Sequence, residues 1–146
     1  MIQALTIRQF KQSDFDNWLP LWNENNQGHE NEEVTRQTWE RLLDPDSHVN
    51  GLGAFDGNKL LGLLHYILHP VTGHLHPVCY MQDLFVSESH RRKGVGRALV
   101  NQLADKGRKE DWARMYWLAE ADNLEAQELY KNIGVRLNFT LHILPF

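Results

Sequence analysis

The sequence predicts a single α/β domain built on a mixed sheet, and three observations lead there. Stretches that alternate apolar and polar residues are interleaved with stretches of helical apolar spacing, in the order β-α-α-β-β-β-α-β-α-β. The chain has 146 residues, the size of one domain, and no internal repeat, low-complexity tract or linker divides it. Its composition, 42% hydrophobic and 23% charged, supplies a packed core and argues against wholesale disorder.

Taken in order, ALTIRQF (4–10) alternates and reads as the first strand. Ser13 or Asp14 can cap a helix carrying Phe15, Trp18, Leu19 and Trp22, and Pro20 within that pattern is expected to kink or shorten it. NEEVTRQTWERLL (31–43) reads as a second helix ended by Asp44-Pro45. HVNGLGAF (48–55), the turn DGN (56–58) and KLLGLLHYIL (59–68) form a strand–turn–strand hairpin. After the loop HPVTGHLHP (69–77) comes strand VCYMQDLFV (78–86). VGRALVNQLADKGRKE (95–110) places Val95, Leu99 and Leu103 at helical spacing, and RMYWLAEA (114–121) reads as another strand. Asp122 and Glu125 outline a capping box that opens helix LEAQELYKNI (124–133), with Gly134 as its left-handed cap. The last stretch, VRLNFTLHILPF (135–146), alternates as a closing strand does.

Charge narrows the function classes. The net charge is −4, yet residues 1–46 carry nine acidic and four basic side chains, whereas residues 87–109 carry seven basic and two acidic ones. A basic patch on an acidic chain is a solvated helix face or a seat for a bound polyanion, not the broad footprint of a nucleic-acid binder. No apolar run approaches the roughly 20 residues that span a bilayer, and the N-terminus lacks the basic-then-apolar layout of a signal peptide. Cys79 is the only cysteine, so no intrachain disulfide forms, which fits a reducing cytoplasm.

The stretch SESHRRKGVGRALV (87–100) carries the chemistry. Three consecutive cations repel one another and glycine opens a helix poorly, so an anion held by backbone N–H groups is the natural compensation. A Walker loop is excluded, because Gly96 is followed by Arg97-Ala98 rather than by Lys and a hydroxyl residue. A dinucleotide fingerprint is weak, because Leu99 stands where its third glycine belongs and the loop follows the fourth strand.

The remaining pattern, Arg91-x-x-Gly94-x-Gly96 between a strand and a helix, resembles the Q/R-x-x-G-x-G/A signature of the GNAT family, the acetyl-CoA-dependent N-acetyltransferases. MQDLFV leads directly into it, and Asn123-x-x-Ala126-x-x-Leu129-Tyr130-x-x-x-Gly134 resembles the family's second coenzyme-side motif; together they span about Tyr80 to Gly134. The resemblance implies a mixed, mostly antiparallel sheet of about six to seven strands, splayed between the fourth and fifth and flanked by four helices. It implies that the loop Arg91, Arg92, Lys93, Gly94, Val95, Gly96 and Arg97 wraps the coenzyme A pyrophosphate through main-chain N–H groups, where glycine permits close approach. It implies further that the strand edge at Leu84, Phe85 and Val86 pairs with the pantetheine amides, and that a backbone N–H there stabilises the oxyanion.

Tyr130 matches the family tyrosine that protonates the departing thiolate, while its spacing with Ala126, Leu129 and Ile133 also suits a core aromatic. Asn123 matches a cofactor-side residue and equally suits a helix cap. The general base stays open. Some relatives carry Glu where this chain has Gln82, which cannot accept a proton; Asp83, on the opposite face of the strand from Gln82 and Leu84, Glu120 at the end of the fifth strand, or a water chain could serve.

His65 and His69 have i, i+4 spacing, but on a strand and loop that spacing builds no zinc site; no metal is expected, and exposed or substrate-channel positions suit these histidines and His74 and His76. Trp18, Trp22 and Trp39 lie in the two helices that shape the family's acceptor pocket, with Glu24, Glu30, Glu32 and Glu33 nearby, a setting suited to a cationic amine. The expected activity is transfer of acetyl from acetyl-CoA to a primary amine by direct attack in a ternary complex. The acceptor is a small amine such as a polyamine or amino acid, or a protein lysine or N-terminus. The alternative is a non-catalytic acyl-CoA-binding sensor. A homodimer using the closing strand is also expected.

Overall fold

The computed structural model describes residues 5–146. Its central element is a hairpin of β2 (Val49–Asp56) and β3 (Lys59–His69). Asp56 pairs with Lys59, which leaves Gly57-Asn58 as a two-residue turn, and Gly57 takes φ +61°, a conformation that strains residues with a side chain. Leu60, Leu61, Leu63 and Leu64 are all buried, because β3 is covered on both faces and so reads as a continuous apolar run. β1 (Leu5–Arg8) pairs with β2, β4 (Val78–Val86) pairs with β3, and β5 (Met115–Trp117) lies against β4. The strand order is β1-β2-β3-β4-β5; the pairings are antiparallel except β4–β5, which is parallel.

Helices cover both faces. On one side α1 (Phe15–Asn26) and α2 (Glu32–Leu43) pack an aromatic layer: Trp18, Trp22, Trp39, Phe10 and Phe55 with Leu60 and Leu63. Trp18, Leu21 and Trp22 recur at i, i+3, i+4, so one stripe of α1 is buried. Trp18 stacks on Trp22 at 5.1 Å between ring centroids and meets Trp39 at 4.9 Å. On the other side α3 (Val95–Lys109) buries Val95, Leu99, Val100 and Leu103 against Leu52, Leu61, Leu64, Tyr66, Cys79 and Met81. α4 (Leu124–Tyr130) completes this layer with Tyr130. No helix among the described residues is long and apolar enough to cross a membrane.

Several sequence expectations change in the folded chain. α1 runs through Pro20 without stopping. Proline removes the hydrogen bond to the carbonyl of Asp16, but both residues lie on the exposed face, where water can satisfy that carbonyl. The cap of α4 is Asn123, whose side chain accepts from Ala126 N–H, rather than an Asp122–Glu125 box. Gly134 has no left-handed φ; a Cβ there would lie 2.8 Å from the Trp117 ring, so close approach explains the glycine.

The fifth strand stops at Trp117, well short of residue 121. Residues 135–146 form no strand, and the sheet among the described residues has five strands rather than six or seven. An alternating segment becomes a strand only where an edge offers a ladder, and three-residue β5 offers almost none. Val135, Leu137, Phe139 and Leu141 therefore stand exposed. The first strand starts at Leu5; Ala4, the start of the expected strand, lies outside the described residues.

Candidate active site

The sheet opens between β4 and β5. Cys79, Tyr80 and Met81 pair with Met115, Tyr116 and Trp117, and there the ladder ends. From Gln82 to Val86 the β5-side edge of β4 has no strand partner among the described residues. A β-bulge sharpens the divergence: His65 pairs with Asp83 and Tyr66 with Met81, so Gln82 is the extra residue, unpaired and exposed. Beyond it, Leu84 and Val86 turn toward the α3 layer while Asp83 and Phe85 turn toward α1.

On the α3 side, the loop from Arg91 to Arg97 brings an unpaired helix terminus to this opening. Arg92 at φ +62° and Gly94 at φ +83° are both left-handed. For arginine that conformation is uncommon. Gly94 is the N-cap of α3 and lacks a side-chain cap, leaving the first-turn N–H groups, including those of Val95, Gly96 and Arg97, without side-chain partners from the cap. A Cβ on Gly96 would meet Val86, Leu129 and Leu84 at 3.7–3.9 Å, ordinary contacts. Packing therefore leaves room for the alanine that the Q/R-x-x-G-x-G/A pattern also admits at 96, and a small residue there keeps the helix terminus accessible. Unspent donors, the helix dipole and exposed Arg92, Lys93 and Arg97 suit a phosphate group.

Arg91 is committed elsewhere. Its Nε donates to the Val86 carbonyl at 2.9 Å, and its guanidinium lies 5.3 Å from the Phe85 ring centroid. It thereby faces an open cleft of about 530 Å³ on the α1 side, lined also by Glu24, Glu30, Phe85 and Glu88. Glu32 and Glu33, grouped with these by sequence, belong instead to the first turn of α2.

Tyr130 packs against Trp117 with ring centroids 5.3 Å apart, at the α4 side of the opening. Burial raises the pKa of its phenol, which keeps the proton on oxygen at neutral pH. Asn123 spends its side-chain oxygen on the α4 cap. Glu120 is exposed beyond the end of β5; its backbone carbonyl accepts from Asn123 N–H and the Gln127 side chain. Cys79 is fully buried, and its thiol is pushed up to about 12 by desolvation, so it is no nucleophile.

Asp83 is built in more firmly than Glu120. One carboxylate oxygen accepts from Asn25 Nδ2 at 3.2 Å, and the other lies 3.0 Å from His65 Nδ1. His65 is 3% exposed, contrary to the exposed or channel-lining position expected for it, and its Nε2 lies 3.1 Å from Trp18 Nε1. Sequence reasoning missed this Trp18–His65–Asp83–Asn25 chain. Its only trace in the sequence is the shared strand parity of 65 and 83, which means nothing without the β3–β4 register. His69 ends β3 and bonds Tyr116 and the Pro70 carbonyl. Among the described residues no group of three or more His, Cys, Asp or Glu is placed to hold a metal ion.

Residues 12–135 match the family described as acetyltransferase (GNAT). The D-amino-acid N-acetyltransferase HPA3 of Saccharomyces cerevisiae is 31% identical over 144 residues, covering 94% of this chain and 89% of that protein. The L-ornithine N5-acetyltransferase NATA1 of Arabidopsis thaliana is 31% identical over 58 residues, 40% of this chain and 25% of that protein. Among solved structures, a ribosomal-protein-alanine N-acetyltransferase from Brucella melitensis superposes with TM-score 0.82 at 23% identity, covering 98% of this chain and 100% of that one. The aminoglycoside N-acetyltransferase AAC(6')-Iy, in complex with CoA, superposes with TM-score 0.83 at 20% identity, covering 98% and 95%. The match over most of the chain, carried by a sheet that parts beside a glycine-opened helix, makes this protein a member of the GNAT family of acetyltransferases.

Proposed function

We propose that the protein transfers acetyl from acetyl-CoA to the primary amine of a small cationic acceptor, by direct attack with both substrates bound. The observation that carries this reading is the two-sided opening beside β4: anion-binding geometry at Gly94 and Gly96 on the α3 face, and carboxylates on the α1 face. Acetyl-CoA supplies an activated thioester and a polyanionic handle. The diphosphate would lie against main-chain N–H groups of Val95, Gly96 and Arg97, with Arg92 and Lys93 beside it. The amide-bearing arm would complete the β4 ladder along Leu84, Phe85 and Val86, as an added strand does.

Acceptor and proton chemistry follow from the chain's own groups. Glu24, Glu30 and Glu88 at the cleft favour an ammonium over a neutral or anionic acceptor. Arg91 in the same cleft is compatible with an acceptor that also bears a carboxylate. The named activities of the relatives, on D-amino acids and on L-ornithine, support an amino-acid acceptor.

The ammonium first releases one proton to water. The amine nitrogen then attacks the acetyl carbon while Asp83 accepts its second proton. As the carbon–sulfur bond breaks, Tyr130 protonates the sulfur, and solvent returns the proton from Asp83 to Tyr130. The products are the N-acetyl amine and the free thiol. Gln82 is no obstacle in this scheme, because Asp83 supplies the carboxylate that Gln82 lacks. The same reading makes the protein a homodimer, supported by the exposed alternating side chains of residues 135–146.

A direct test incubates the protein with acetyl-CoA and, in turn, putrescine, L-ornithine and D-phenylalanine, following thiol release and acetylated product by mass spectrometry. The proposal expects at least one amine to be acetylated in step with thiol release. If acetyl-CoA binds but no amine accelerates thiol release, the acceptor assignment is wrong.

A further inference from the structure

Histidine in an aromatic core normally satisfies its two nitrogens locally and does nothing more. His65 differs in where its second bond goes. Its ring packs beside the stacked Trp18–Trp22 pair, with centroids at 6.0 and 5.6 Å, and it is almost wholly excluded from water. An indole N–H can only donate, so Trp18 Nε1–H at 3.1 Å requires a lone pair on His65 Nε2. The single proton of the neutral ring then sits on Nδ1 and donates to the Asp83 carboxylate at 3.0 Å.

Asp83, by contrast, retains 24% of its side-chain surface and stands beside the bulge where β4 parts from β5. Asn25 Nδ2 donates to its other oxygen. Both donors are neutral, and among the described residues no Lys or Arg lies within ion-pairing distance of Asp83. The result is an anion fixed in orientation from two sides, without a counter-charge among the described residues, and still partly open to solvent. A carboxylate so held is prepared for an ammonium that arrives from outside.

We propose that His65 is a positioning residue for acetyl transfer. Locked by Trp18 as the Nδ1–H tautomer, it holds the Asp83 carboxylate in line with the acceptor nitrogen. This inference rests on the proposed role of Asp83 and adds to it the device that aims the carboxylate. Trp18 is the second part of the device: it prevents the ring from presenting Nε2–H and leaving Asp83 facing a lone pair.

Two experiments test it. In the wild-type protein, long-range 1H–15N NMR of the His65 ring reads the tautomer directly, with no variant and no substrate. The expected result is a protonated Nδ1 and an unprotonated Nε2; an Nε2–H ring overturns the proposal. The second compares His65→Asn, whose amide can still reach Asp83 as a donor, with His65→Gln and Trp18→Phe.

Using whichever of putrescine, L-ornithine and D-phenylalanine turns over fastest, His65→Asn should keep kcat within about threefold of wild type. His65→Gln and Trp18→Phe should lose about tenfold or more in kcat/KM for the amine, with KM for acetyl-CoA unchanged. In an Asp83→Asn background, His65→Gln should add nothing. If His65→Asn and His65→Gln lose activity equally, or His65→Gln and Asp83→Asn act additively, His65 is merely structural. Should the His65 variants fail to fold, the wild-type spectrum and Trp18→Phe still decide. Wild-type inactivity on every amine would sink the acceptor assignment, a result distinct from an active enzyme indifferent to His65.

Discussion

Asp14 ties the start of α1 to the first strand through one carboxylate. It takes a two-pronged hydrogen bond from Arg8, at 2.7 and 3.0 Å, and a third from Lys11 N–H at 2.7 Å. These bonds, the Arg8 guanidinium foremost, outweigh burial and hold its pKa below the usual carboxylate value. A depressed acid stabilises the fold fully above its unfolded value, about pH 4, and loses that contribution as pH falls through the folded value. Asp14→Asn should therefore cost about 2 kcal/mol at neutral pH. The gap from wild type in denaturant melts should narrow below pH 4.

Tyr130 shifts the other way, its phenol kept protonated by burial, which is the state a proton donor needs. Tyr130→Phe should lower kcat by about 10²-fold or more while acetyl-CoA affinity is retained, as measured by thiol-release kinetics and calorimetry. Equal kcat would remove Tyr130 from the chemistry.

At the scale of elements, α3 divides its residues between packing and the proposed phosphate seat. Val95, Leu99 and Leu103 bury one stripe, and that spacing was readable in the sequence as a helix over nearly the observed Val95–Lys109. The two glycines at its start can be told apart by mutation. Gly94→Ala meets no atom within 4 Å but must take φ +83°, so it should destabilise the fold by about 1 kcal/mol. Gly96→Ala has room against Val86, Leu129 and Leu84 and stays within the Q/R-x-x-G-x-G/A pattern, so it should leave Tm and, in calorimetry, acetyl-CoA affinity nearly unchanged. A Gly94→Ala protein as stable as wild type would contradict the strain read at that position.

Helices and long strands were predictable because their periodicity is local. The β4 bulge was not: alternation along 78–86 sets Asp83 opposite Leu84, but only the register with β3 reveals that Gln82 drops out of the ladder and that Asp83 meets His65. That α1 continues past Pro20 was illegible for a related reason, since the cost of proline depends on which face of α1 the orphaned Asp16 carbonyl occupies.

Taken whole, the described residues form a five-stranded sheet with the proposed chemistry placed at one parting of strands. What the sequence could not reveal at this scale is what residues 135–146 pair with. Their alternation was visible, but a strand is a relation between two segments, and the short edge at β5 gives this one no partner within the described chain. Val135, Leu137, Phe139 and Leu141, exposed in a row, favour pairing with a second copy. Light scattering on the purified protein should give twice the 17.1 kDa chain mass, and polar substitution of Leu137, Phe139 and Leu141 should reduce it to one. A monomeric wild-type protein would rule the dimer out.

The most direct test of the central claim follows acetyl-CoA consumption with putrescine, L-ornithine and D-phenylalanine, for the wild type and for Asp83→Asn. The account predicts N-acetylated amine formed one for one with free thiol, and a fall of about 10²-fold or more in that rate for Asp83→Asn with acetyl-CoA affinity preserved. Thiol release that no amine accelerates, or an Asp83→Asn protein as fast as wild type, would contradict it.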